Sequence, residues 1–282
     1  MTEQQASQPS TSTGHPELVG YVDAWWQAID DLTGLLEELP SEAWAAPTDL
    51  PGWDVHAVVA HTAHLESLLA GTAHDDVEVG ELEHVRSPMQ VFTEQGVAAR
   101  RERDADDLLQ EIRQSATSRR TALLEDPPSD PDAPAPGAFG ALGWTQRTLL
   151  RNRPLDVWMH EQDVRRAVGR PGNLRSPAAT HTIGYLSDSL GLVLAKRVGA
   201  APGTTLVLTV DDLAPRSFEV GEDGRGRSLP EPPAEPTATI DLDREAFTVL
   251  AGGRQAPDPA GVRVAGDQEL AARVLAAMAV TP

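Results

Sequence analysis

Cysteine is absent from the 282 residues. No disulfide can form, and no thiol of the protein can serve as nucleophile or metal ligand. Any thiol chemistry therefore requires a thiol brought from outside. Long apolar runs are missing as well, since none approaches the ~20 residues of a membrane span. Cations are few: 23 Lys and Arg face 43 Asp and Glu, a formal charge of −20. A surface this negative repels phosphate backbones and anionic headgroups. Neither nucleic acid nor membrane is expected as a partner, and solubility is the plainest use of the charge. Residues 1–14 are rich in Gln, Ser and Thr and lack the basic-then-apolar order of a signal peptide. They read as a disordered tail, and a cytoplasmic location follows.

About 40% of the residues are hydrophobic, enough for packed cores in one large or two ordinary domains. Leu18, Val22, Trp25, Ile29, Leu32 and Leu36 step by three and four, one helix face between Pro16 and Pro40. Leu50-Pro51-Gly52-Trp53 predicts a turn, with Asp54 as the N-cap of a second helix that carries Val58, Thr62, Leu65 and Leu69 inward and ends near Gly71. A third helix is predicted from Asp104 to Leu124, and a five-proline loop over 126–137. A fourth runs from Thr145 to Val168, with Pro154 expected to kink it or start a new segment. Four long helices with polar connections predict an antiparallel four-helix bundle. Residues 177–198 read as one further helix. Strands follow at Thr204–Val210, Ser217–Val220, Thr237–Leu242 and Val262–Val264, with helices at Arg244–Leu250 and Glu269–Met278. The fold class is thus two-domain, α followed by a small α+β domain, with the boundary within 170–203.

Asp156 and His160 stand four apart on the fourth helix, which stacks them on one face; Asp163 extends the stripe. A carboxylate and an imidazole at this spacing can share a divalent ion. His61 lies among Val58 and Leu65, so it faces the bundle interior. Two imidazoles and a carboxylate leave an open coordination position, as in catalytic zinc sites. The competing readings are ordinary: such a helical pair is usually an exposed polar pair, and a histidine on an apolar face is more often packed core. His61 with His64 is a rival pair, while Glu161 points about 100° away from His160. Trp53, Trp144 and Trp158 either line a pocket or fill core. Arg151, Arg153, Arg165 and Arg166 flank the Asp–His pair, as a solvated patch or as contacts to an acidic substrate.

Leu50-Pro51-Gly52-Trp53-Asp54 followed by Val58-Val59-Ala60-His61 resembles the opening motif of the mycothiol-dependent maleylpyruvate isomerase family, within the DinB-like superfamily of metal-binding bundles. The run from Asp156 to Arg165 resembles the family's second motif. Leu250-Ala251-Gly252-Gly253-Arg254, the run Val262–Asp267 and the run Leu270–Leu275 are similar to its C-terminal sterol-carrier-like domain. The resemblance implies a DinB-like metal-binding bundle over 15–172 and, over 173–282, a linker helix and a sterol-carrier-like α+β domain. It implies His61, Asp156 and His160 as metal ligands, and a substrate- or thiol-orienting role for Asp163. It further implies an arginine from the C-terminal domain, with Arg254 the first candidate and Arg263, taken as a cofactor contact, the second. The isomerases themselves carry Glu where this chain has Asp156.

The cofactors so implied are zinc, or another divalent metal, and mycothiol as thiol cosubstrate. A metal lowers the pKa of a bound thiol, and the thiolate attacks an electrophilic carbon. Rotation and expulsion of the thiol give isomerisation, and release of the adduct gives S-transfer. Two other classes stay open: a metal-dependent hydrolase using water, and a non-catalytic protein that binds metal or a small apolar molecule. The expected partner is a small acidic or electrophilic substrate, and the chain is expected to be a monomer or small homo-oligomer.

Overall fold

The structure is a computed structural model that describes residues 14–254 and 258–281. The tail expected over 1–14 lies, apart from Gly14, outside the described residues. The chain divides into two units, residues 1–41 with 56–157, and residues 42–55 with 158–282. Among the described residues no helix is long and apolar enough to cross a membrane.

The first unit is helical. It holds α1 (Pro16–Glu37), nearly all of α2 (Val55–Leu69), α3 (Pro88–Ala98), α4 (Ala105–Glu125), α5 (Gly137–Ala141) and the first half of α6 (Gln146–Ala167). The α1 stripe reads out as expected: Leu18, Val22, Trp25, Ile29, Leu32 and Leu36 are all buried, and α1 packs along α4. Asp104 caps α4 by accepting from Asp107 N. Helix α6 continues through Pro154 without ending.

The centre of this unit is ionic. Glu66 on α2 is fully buried and meets one side chain from each of the other long helices. Trp25 Nε1 of α1 donates to Oε1 at 3.0 Å, and Arg153 Nη2 of α6 donates to the same oxygen at 2.6 Å. Arg119 of α4 lies 3.7 Å from Oε2, with its guanidinium over the Trp25 ring at 4.6 Å.

The second unit holds the end of α6, then α7 (Pro177–Ser187), the short α8 (Leu190–Leu192), a π-helical turn over Val193–Arg197, and a five-stranded sheet with α9 (Arg244–Ala251) and α10 (Gln268–Ala276). The strands are β1 (Thr205–Val210), β2 (Arg216–Val220), β3 (Gly226–Leu229), β4 (Ala238–Leu242) and β5 (Val262–Gly266), in the order β3-β2-β1-β4-β5. Only β1 and β4 pair in parallel among these neighbours. Alternate residues Ala238, Ile240 and Leu242 of β4 point into the core. The helical N-terminal region and the small C-terminal sheet give the two-part α and α/β architecture.

Three readings of the sequence are corrected. Residues 177–198 are not one helix. Arg216 of β2 takes the Gly184 carbonyl at 2.6 Å and pairs with Asp188, which closes α7 at its last turn. Helix α3 escaped because its buried side is Glu94, Gly96 and Val97 and carries no apolar stripe; Ser87 and Pro88 start it instead. Strand β3, Gly-Arg-Ser-Leu, is a sheet edge with no apolar alternation.

Backbone meets backbone where β3 approaches α8. A Cβ on Gly226 would lie 1.8 Å from the Gly191 carbonyl oxygen, whereas one on Gly184 would meet nothing within 4 Å. Gly226→Ala should therefore cost about 1–3 kcal/mol through forced displacement. Gly184→Ala, on the open side of α7, should be neutral or mildly stabilising. Urea unfolding of both variants checks this; equal midpoints would contradict the close approach.

Candidate functional site

Helix α6 carries the chemistry-bearing stripe. Val157, Trp158, Met159 and Val164 are buried apolar residues, and they draw the helix and its polar neighbours inward. Asp156 lies in the first unit, where its Oδ2 is 3.7 Å from Nε2 of the buried His61 on α2. Arg153, one turn earlier and fully buried, donates to the same Oδ2 at 2.9 Å. Burial lowers the Arg153 pKa, but Glu66 and Asp156 more than offset this and hold it above the usual arginine value. Arg119, beside one carboxylate only, is brought down by burial to about 10.

One turn beyond Asp156 on the same unbroken helix stands His160, so α6 itself sets the spacing of the two. One ligand atom from each of His61, Asp156 and His160 lies within 4.8 Å of the others. His160 Nδ1 is 3.2 Å from Asp163 Oδ2. A carboxylate only accepts, so Nδ1 carries the proton in this contact and Nε2 is the nitrogen suited to a metal. The Trp53 ring lies 6.2 Å from the imidazole.

Asp163 is the hub of the second unit's polar cluster and is fully buried. Arg254 grips it with both prongs, Nε to Oδ1 at 2.9 Å and Nη2 to Oδ2 at 2.8 Å. Arg166 Nη2 adds a bond of 2.7 Å and reaches Asp49 at 2.8 Å through Nε. Burial alone would raise the Asp163 pKa; the bonds from His160 and Arg254 bring it down to about 2. Arg254 gets there because the chain leaves α9 through Gly252 and Gly253. A Cβ on Gly252 would stand 2.5 Å from Met159 Cε of α6, and Gly253 turns with φ 65°. Arg263 is exposed on the edge strand β5, in register with Asp241. Of the two candidate arginines, Arg254 is the one that meets Asp163.

The remaining candidates have other employment. Glu161 is held by Arg165 at 2.7 Å and by Asn173 at 2.8 and 2.9 Å. Trp158 is core, bonded to the Asn173 carbonyl at 3.0 Å, and Trp144 packs against Phe139. His64 turns to Asp75, Nδ1 to Oδ2 at 3.1 Å, in a cluster where Arg100 joins Asp75 to Glu111 and His74 stacks on Phe92. Asp49, Glu66, Arg119 and the partners of His64 were not singled out from the sequence. Glu66 did leave a signal: a carboxylate on the face of α2 shared by Val59 and Thr62, where charge is seldom buried unpaired.

The family model described as the mycothiol maleylpyruvate isomerase N-terminal domain matches residues 25–165. The model for the C-terminal domain of the same isomerase matches residues 180–273. No curated protein matches the chain significantly. Two solved structures share its fold: the mycothiol-dependent maleylpyruvate isomerase and a histidine-to-alanine variant of it. Each is 17% identical with a TM-score of 0.55, over 88% of this chain and 92% of that one. At this identity the likeness speaks for the fold alone.

Burial lowers the His64 pKa to about 4, with Arg100 adding to the effect and Asp75 opposing it. Its folded value lies below the ~6.5 of an unfolded chain, so the unfolded state binds more protons between the two. The neutral His64 thus contributes stability above pH ~6.5 that is lost as pH falls toward 4. His64→Gln should flatten that acid limb of the Tm–pH curve. An unchanged slope between pH 6.5 and 4 would contradict the assignment.

Proposed function

The chain belongs to the mycothiol-dependent maleylpyruvate isomerase family, and we propose that it is a metal-dependent enzyme that uses an external low-molecular-weight thiol on a small electrophilic substrate. The observation that carries this reading is the convergence of His61, Asp156 and His160, with the second nitrogen of His160 on a buried carboxylate. Two imidazoles and one carboxylate fit zinc among the biological metals. In this reading residues 15–172 form the metal-binding domain and 173–282 a sterol-carrier-like α+β domain.

When bound, zinc would supply a Lewis acid that keeps a thiol in its reactive thiolate form at neutral pH. The protein's own groups do the rest. Asp163 keeps the proton on His160 Nδ1 and fixes the ring. Arg254 and Arg166, both anchored on Asp163, place positive charge for a carboxylated substrate. Arg153 holds Asp156. Trp53 and the buried apolar face of α6 limit water. The absence of cysteine from the chain means that the nucleophilic sulfur comes with the cosubstrate, mycothiol in this family. Isomerisation of a maleylpyruvate-like acid and S-transfer to another electrophile both use this arrangement, and a cytoplasmic location goes with a cytosolic thiol.

Protein purified without chelator should carry about one zinc per chain. His61→Ala and His160→Ala should each lose it and melt at lower temperature, since a metal present at a hundredfold excess over its Kd stabilises the folded state by about 2.7 kcal/mol. Asp156→Glu should keep the metal and Asp156→Ala should not. Elemental analysis decides, and full occupancy in both histidine variants would defeat the assignment.

The metal-loaded protein, assayed over unsaturated acids and epoxides, should be inactive alone and active with mycothiol. Its rate should rise through an apparent pKa well below the ~8.5 of a free thiol. Equal rates with and without the thiol would replace this reading by a metal-dependent hydrolase.

A further inference from the structure

Arg153 does not end on Asp156. Its guanidinium is shared between two carboxylates, Nη1 on Asp156 Oδ2 at 2.9 Å and Nη2 on Glu66 Oε1 at 2.6 Å. We propose that Glu66, acting through Arg153, positions Asp156 for the metal, so that the buried Arg119–Glu66–Arg153 array belongs to the metal centre as well as to the bundle core. The inference rests on the metal reading given above.

Four features carry it. An aspartate has a short side chain whose carboxyl turns freely unless something grips it. Arg153 grips it through one oxygen, from the preceding turn of the same helix. Arg153 in turn is 1% exposed and cannot swing, because Glu66 fixes its other prong. Glu66 is itself immobilised from two further helices, by Trp25 Nε1 on one oxygen and Arg119 beside the other. The array is also balanced in charge: two guanidinium groups face the carboxylates of Glu66 and Asp156. Asp156 therefore has its orientation and its charge set before any ion arrives. Outer groups that hold a ligand in this way tune metal affinity as well as geometry. Glu66, Arg153 and Arg119 are positioning residues, since none of them is a ligand and each acts on the ion only through Asp156.

The double variant Glu66→Gln/Arg153→Met tests this. It removes one negative and one positive charge together, and it leaves an amide oxygen to accept from Trp25. Arg153→Lys is the milder companion, keeping the charge and losing the fork. Leu108→Ala, in the buried face of α4, is the control for lost stability alone. Metal-free protein is titrated with Co²⁺, read by its visible absorption, and then with Zn²⁺ in competition; the metal-free Tm of each variant is recorded separately. The expected result is a rise in Kd of ~10–100-fold in the double variant, a smaller rise in Arg153→Lys, and an altered Co²⁺ spectrum in both, with Leu108→Ala unchanged in affinity. A Kd within ~3-fold of the parent's in the double variant, or an equal loss in Leu108→Ala, overturns the inference and leaves the array a core device. If the parent chain takes up neither ion, the metal reading has failed and this inference falls with it.

Discussion

A carboxylate at the middle of a helical unit must be matched by cations or it will not stay ionised there. Glu66 imposes that condition on four helices at once. Its partners come from α1, α4 and α6, and each is buried. Removing Glu66 would leave Arg119 as an uncompensated buried charge, at a cost of about 3–5 kcal/mol. Apolar stripes hold these helices together but tolerate sliding by a turn. A hydrogen-bonded ionic contact does not, and it fixes the register in which Asp156 and His61 face each other.

The second unit repeats the device with Asp163 as the buried carboxylate and Arg254 and Arg166 as its cations. Both hubs use arginine. The chain has a single lysine, Lys196, so 22 of its 23 basic residues are arginines. That choice suits the geometry. A guanidinium can hold one carboxylate with two prongs, as Arg254 does, or join two carboxylates, as Arg153 does; an ammonium is a point charge and gives neither planar fork. Four arginines, Arg100, Arg119, Arg153 and Arg244, are buried at such joints.

What was legible in the sequence follows from how local each signal is. The α1 stripe and the start of the helix at Asp104 are written within a few turns of one helix, and both appear where the spacing puts them. The Asp156–His160 pair is legible for the same reason. His61 was found because an imidazole stands out on an apolar face. Glu66 escaped although it too interrupts an apolar face, because its partners lie 41 and 87 positions away and nothing local says which cations they are. Arg254 was marked by the family resemblance of the Leu250–Arg254 run; the bond to Asp163, 91 positions away, had to come from the fold. Helix α3 and strand β3 were missed because one buries polar residues and the other buries almost nothing.

The shared guanidinium of Arg153 has a consequence for how this sequence can drift. Losing Glu66 alone leaves Arg119 without its carboxylate and Arg153 with Asp156 alone, and losing Arg153 alone leaves Glu66 to Trp25 and the more distant Arg119; because the two side chains are in direct contact, removing both together costs less than the sum of the two losses. Single steps between the charged pair and an uncharged one are therefore costlier than the paired change. Among descendants of a common ancestor, positions 66 and 153 should change together more often than singly. A lineage that lengthens Asp156 to glutamate must accommodate the guanidinium that now fits the shorter acid, so the identity of residue 156 becomes a historical record of what had already been fixed at the other two.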